Sequence, residues 1–311
     1  MLPVLGILSV IFAQTSLADV EVKYKSSAEM ATIISMKMEG TENIKGDKSH
    51  SVISTKVDGG MMGMLGHGGP REDIRITRLD KGIIWELDPE KKTYKESSLE
   101  SLKADLDQAE ETPEEETAED DEYVWSVEIT DLEGTQKIAG YECRGVLGRA
   151  IGVRKDGRPD TAFITYEQWL SEAIPGMAEV EAYNEKYSRL VGVDDMWSQE
   201  NMASMLRGYG TQFEELSADM STRKGYPLKT VVTIESVAPA SEEQEADEEA
   251  DDASGMAEMM KKMFKGNQGD ENAAEAAGRI KVFSMTNEVI SVAEKAADDG
   301  QFEVPSDYTK K

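Results

Sequence analysis

Disulfides, histidine chemistry and a nucleic-acid-binding surface are all poorly provided for in this chain of 311 residues. It has one cysteine, Cys143, so no internal disulfide can form. It has two histidines, His50 and His67. No H-E-x-x-H, G-x-S-x-G or P-loop spacing occurs, so no familiar arrangement for metal-assisted hydrolysis, acyl transfer or phosphate binding is expected. Basic residues number 34 against 62 acids, a formal charge of −28, and polyanion binding needs the opposite balance. After the first turn of sequence no apolar run approaches the roughly 20 residues of a membrane-spanning helix. Aromatics make up 6 % and prolines number nine.

The exception to the last absence is the start, MLPVLGILSVIFAQTSLA, uncharged from Leu2 to Phe12 and ending in small residues. It reads as a signal peptide over 1–18, cleaved near Ala18, which predicts an exported, periplasmic protein without a transmembrane segment. Residues 19–311 are then expected to form one domain. Two acidic insertions interrupt it, at 109–121 and 239–255. Their densest runs, Ala109 to Asp121 and Ser241 to Asp252, each hold eight acids and no base. Self-repulsion and hydration predict disordered loops there, and neither has the spacing of an EF-hand. Cation capture or docking of a basic partner through these loops is the interaction-module alternative.

What is present in quantity is strand alternation. In IRITRLDKGIIWELDPEKKTYKE, Ile74 to Glu96, the residues Ile83, Trp85 and Leu87 alternate with Ile84, Glu86 and Asp88. Asp80-Lys81-Gly82 and Asp88-Pro89-Glu90 provide turns, so three short strands are expected. Further strands follow from alternation at Val20 to Lys25, Ile34 to Glu39, Lys48 to Val57, Tyr123 to Ile129, Ile138 to Ile151, Thr161 to Thr165, Lys229 to Val237 and Arg279 to Val292. Helices are expected at Ser97 to Gln108, capped by Ser97 or Ser98, at Ala178 to Leu190 and at Gln199 to Arg207. Ala139-Gly140 and Gly145 are read as bends. The order predicts an α+β fold: a curved antiparallel sheet with helices packed on its concave face.

Four blocks, RLDKGIIWELDPEKKTYKE (Arg78 to Glu96), KIAGYECRG (Lys137 to Gly145), GYPLKTVVTIESV (Gly225 to Val237) and FEVPSDYTKK (Phe302 to Lys311), carry a resemblance. They resemble a family of bacterial envelope proteins with an I-x-G-Y-x-C/A turn in mid-chain and an F-x-(I/V)-P-x-x-Y-x-K ending. That domain is in turn similar to the half-barrel of LolA-like lipoprotein carriers. The resemblance implies an apolar cavity between sheet and helices. It places Cys143 in the family turn as a small apolar packing residue.

Non-catalytic binding of an apolar or lipid-like ligand is therefore the expected function, with no cofactor and no catalytic residue. The expected cavity lining is Ile34, Met36, Met38, Ile83, Trp85, Leu87, Tyr94, Val232 and Ile234. Methionine, with 17 residues, adds two clusters. In GMAEMMKKMFKG, Met256, Met259, Met260 and Met263 recur at i, i+3, i+4 and i+7 with Phe264 alongside, an amphipathic helix suited to a lid. In GGMMGMLGHGGP, Met61, Met62, Met64 and His67 are the soft thioether and imidazole set that suits Cu(I), so copper is the alternative cofactor.

Overall fold

β-Branched and aromatic residues alternating with Lys, Glu, Ser and Thr pair here into one open, curved sheet of twelve strands. In the computed structural model the described residues are 19–30, 34–59, 70–104, 123–155, 161–191, 216, 218–237 and 279–311. The strands are β1 (Val20–Met30), β2 (Ile34–Lys45), β3 (Lys48–Gly59), β4 (Arg71–Arg78), β5 (Ile83–Asp88), β6 (Thr93–Ser98), β7 (Tyr123–Ile138), β8 (Tyr141–Arg154), β9 (Thr161–Ser171), β10 (Tyr226–Val237), β11 (Arg279–Glu294) and β12 (Thr309–Lys310). Helix α1 spans Met177–Val191. Across the sheet the order is β12-β6-β5-β4-β3-β2-β1-β11-β10-β9-β8-β7. Consecutive strands pair antiparallel within β1–β6 and within β7–β11, while β1 joins β11 antiparallel at mid-sheet and β12 adds to β6 in parallel. The first and last long strands thus lie side by side, with Val22 opposite Val292.

The expected three-strand meander is β4, β5 and β6. Gly82 takes φ +67° in its first turn, a left-handed conformation that glycine adopts without strain. In the second, the Asp88 carboxylate accepts from the Lys91 amide at 3.0 Å. Ala139 and Gly140, with φ of +50° and +90°, form the two-residue link between β7 and β8. Gly145 stays inside β8 instead of bending it, because the Leu132 and Trp169 side chains fill the space beside it. Ser98 ends β6 and caps a helical stretch at 99–104, its Oγ accepting from the Ser101 amide at 2.9 Å.

Cross-strand partners share a face, so the register divides the sheet into two. One face carries α1. Val180, Tyr183 and Val191 of that helix are buried with Val20, Val22, Ile44, Val289 and Val292. The Tyr183 hydroxyl donates to Ser49 Oγ at 2.9 Å, and burial, with the nearby Glu42 charge, pushes its pKa up. Glu179 accepts from the Gly46 amide and Lys186 pairs with Asp47, so α1 grips the β2–β3 turn. A second cluster on the same face lies under Leu216 and Met220.

On the opposite face the C-terminal tail covers the β4–β6 meander. Phe302 ends a 3-10 turn over Asp299–Phe302 and is fully buried, and Val304 and Tyr308 pack on Ile76, Trp85 and Leu87. The Thr309 amide donates to the Lys92 carbonyl at 3.0 Å and the Lys311 amide to the Tyr94 carbonyl at 2.9 Å.

Candidate functional site

On the α1 face, the inward positions of four neighbouring strands read Val20, Val22, Tyr24, Ser26 on β1; Phe283, Met285, Asn287, Val289 on β11; Leu228, Thr230, Val232, Ile234 on β10; and Ile164, Tyr166, Gln168, Leu170 on β9. Each series is apolar with one polar interruption. The register aligns those interruptions: Gln168 opposes Thr230, Thr230 opposes Asn287, and Asn287 opposes Ser26. At the interstrand spacing of about 4.8 Å the four residues make a polar row roughly 14 Å long. The row runs between the two apolar clusters of this face.

The row is buried. Ser26 is 4 % exposed and Gln168 7 %. Gln168 Nε2 donates to the Tyr166 hydroxyl at 3.0 Å. Ser26 Oγ and Asn287 Oδ1 are enclosed and have no hydrogen-bond partner among the described residues. A buried polar atom left unpaired costs about 1–3 kcal/mol.

Beyond Ser26 the same level of the face continues through Met38, Thr55 and Arg71. Met36, Met38, Ile53 and Val57 occupy neighbouring positions of that face on β2 and β3 and are half-buried. They form an apolar floor leading to an open groove of about 490 Å³. The groove's outer wall is charged: Arg71 pairs with Asp73 at 2.8 Å and Arg75 with Glu86 at 3.4 Å, and Lys95 also lines it. Asp88 at its end pairs with Lys91 at 2.9 Å and Lys311 at 3.6 Å. The Lys91 ammonium and amide hold the Asp88 carboxyl down to about 2.

The nine residues expected to line one cavity do not share a face. Trp85 opposes Ile76, which opposes His50, and that series lies on the tail-covered side. Ile83, Trp85, Leu87 and Tyr94 therefore pack with the tail residues Val304 and Tyr308, although Leu87 and Tyr94 also reach the groove. The physical reason is the period of two: β5 is apolar on both sides, and Ile84 is its α1-side residue. Val232 and Ile234 are on the α1 face but fully buried beneath Leu216 and Met220, so they too are core. Ile34 opens β2, its backbone paired with Met30 and Gly59. Of the nine, Met38, Leu87 and Tyr94 line the groove, and Met36 lies beside Met38 on the floor.

Met61, Met62, Met64 and His67 lie outside the described residues, as do Met256, Met259, Met260, Met263 and Phe264, both acidic insertions and Gln199 to Arg207. Among the described residues no three His, Cys, Asp or Glu side chains gather as a metal-ligand set. Cys143 is free and fully buried, and burial raises its thiol pKa. No helix among the described residues is long and apolar enough to cross a membrane.

Sequence reasoning missed Ser26, Asn287, Thr230 and Gln168. Their signal was a polar residue at an inward position of an otherwise apolar alternation. One such residue is unremarkable; four become a row only when the strand order is known. No protein-family model matches the chain, and no curated protein matches it.

Proposed function

We propose that this protein binds an amphiphilic, lipid-like molecule on the α1 face of the sheet, without catalysis. The carrying observation is the half-buried floor of Met36, Met38, Ile53 and Val57, which opens into the groove of about 490 Å³. That volume falls in the range of small-molecule sites, roughly 300–1,000 Å³. The ligand's chain lies on the floor, with affinity from apolar area at about 25 cal/mol per Å² removed from water. Methionine thioethers adapt to chains of different shape. In this reading the sheet is a half-barrel with its helices on the concave side. The protein acts in the bacterial envelope after loss of residues 1–18; the uncharged leader supports that location.

Titration with a fluorescent fatty alcohol tests the proposal. Met38→Glu places a charge on the floor and is expected to weaken binding about ten-fold or more, while the thermal midpoint stays near that of the parent. Equal affinity in parent and variant overturns the assignment of the floor.

A further inference from the structure

The two edges of the sheet, β12 and β7, are finished differently. β12 is two residues long, pairs in parallel and is followed by Lys311, so it offers almost no ladder to a further strand. β7 runs for 16 residues, and among the described strands β8 is its only neighbour. Its second half carries features that blunt an edge. The pairing slips between Asp131 and Thr135, Gly134 turns there at φ +83°, and Asp131 is held to Arg223 at 3.5 Å. Its first half, Tyr123 to Thr130, reads YVWSVEIT, with no proline, glycine or lysine and a single charge, Glu128.

Exposed apolar surface gathers at the same place. Of the eight exposed large hydrophobic residues among those described, four lie on β7 and β8: Val124 at 59 %, Val127 at 41 %, Ile151 and Val153. On the outer face Val124 opposes Val153 and Ser126 opposes Ile151. On the α1 face Trp125, Val127 and Ile129 oppose Gly152, Ala150 and Gly148. Trp125 and Ile129 pack against the cluster under Leu216 and Met220, while Val127 between them stays open to solvent. An apolar row that reaches an open backbone edge is a template for one more strand.

The segment itself selects what that strand is. Two copies paired antiparallel about a two-fold axis normal to the sheet keep each residue on its own face, so the axis passes through a residue that opposes itself. Placed at Val127, the axis sets Val127 against Val127 and Trp125 against Ile129 on the α1 face. On the outer face it sets Ser126 against Glu128 and Val124 against Thr130. Apolar residues on the α1 face then meet apolar ones, and no charge meets its like. An axis at Glu128 brings two carboxylates face to face. One at Ile129 sets Val127 against Asp131, and one at Ser126 sets Val124 against Glu128. The register shift beyond Asp131 ends the ladder before Glu133.

We propose that β7 is the contact through which two copies of this chain pair, antiparallel and centred on Val127, so that one sheet runs through both. Each copy carries a charge of −28, so long-range repulsion opposes the contact and apolar pairing holds it. The dimer therefore tightens as salt screens that repulsion.

Cysteine placement tests the register. Cys143 is fully buried and leaves introduced surface thiols free to report. Directly opposed residues hold their Cα atoms about 4.5–5.5 Å apart, within reach of a disulfide. Under mild oxidation of residues 19–311, Val127→Cys is expected to give covalent dimers. Ser126→Cys and Glu128→Cys are each expected to give roughly ten-fold fewer alone, and to cross-link when the two are mixed. Sedimentation of the parent between about 1 and 200 µM is expected to show a reversible dimer, as befits a contact of this size. Its dissociation constant should fall between roughly 20 mM and 0.5 M salt. Val127→Lys should raise that constant about ten-fold or more, with a thermal midpoint near the parent's in dilute solution. A parent that sediments as a monomer throughout overturns the proposal. Cross-linking that is equal at the three positions, or strongest for Ser126→Cys or Glu128→Cys alone, also overturns it. So does a dimer that loosens as salt rises.

Discussion

Arg78 stands where the meander, its first turn and the C-terminal tail meet. Its guanidinium donates to the Asp80 carboxylate at 2.8 and 2.7 Å, to the Phe302 carbonyl at 3.3 Å, and to Glu303. The side chain is 7 % exposed. Arg78→Met is expected to cost about 2–3 kcal/mol in urea unfolding, the value of charge-assisted bonds to partly exposed partners. The Arg78 hydrogen bond, against a smaller opposing effect of burial, holds Asp80 below the usual carboxylate range. For Glu303, burial raises the pKa but Lys81 and Arg78 outweigh it. Depressed carboxylates stabilise the fold above their unfolded pKa of about 4, and that stability is lost as pH falls through the folded values. The gap between parent and Arg78→Met should therefore shrink from pH 6 to pH 3; a constant gap contradicts the pairing. His50 works at a higher pH. It opposes Ile76 and Asn43, its Nδ1 is enclosed without a partner among the described residues, and burial lowers its pKa. The unfolded chain then takes up a proton near pH 6.5 before the folded one does, so stability falls as pH drops below that point. Thermal midpoints measured between pH 7.5 and 5.5 should fall in the parent and fall less in His50→Leu.

The tail and the glycine of β2 carry the predictions that belong to elements. Phe302 anchors the tail and is fully buried. Phe302→Ala is expected to destabilise by about 3–5 kcal/mol. Part of that loss should be visible as altered emission from Trp85, whose Nε1 donates to Glu96 at 2.8 Å beneath the tail. Gly40 lies under the Tyr24 ring, where a Cβ would collide with it. Gly40→Ala should cost about 1–3 kcal/mol by displacing that ring; unchanged unfolding would contradict the packing. At this scale the strands were largely legible, because alternation and turn residues are local. The bounds of β4, β5 and β6 follow Asp80–Gly82 and Asp88–Glu90, and α1 begins within a residue of its expected start. The covering of each face was not legible. Ile83, Trp85 and Leu87 have the same pattern whether a helix or a tail lies over them, and the tail is more than 200 residues away in sequence.

The whole sheet is organised by two non-local pairings, β1 with β11 and β12 with β6. They place the apolar floor of β2–β3 beside the polar row of β1, β11, β10 and β9. They also put the tail on the far side. A period of two says which residues share a side within a strand; it does not say how sides join across strands. That is why four polar interruptions, each unexceptional alone, became a row only in the assembled sheet. The account's central claim is that the two faces differ in role: one binds, and the other is closed by the tail over the β4–β6 meander. Photo-crosslinking with a diazirine-bearing fatty alcohol, followed by peptide mapping, tests this most directly. The account predicts label on peptides containing Met36, Met38 and Ile53 from the α1 face. Label concentrated on Trp85, Val304 or Tyr308 would contradict it.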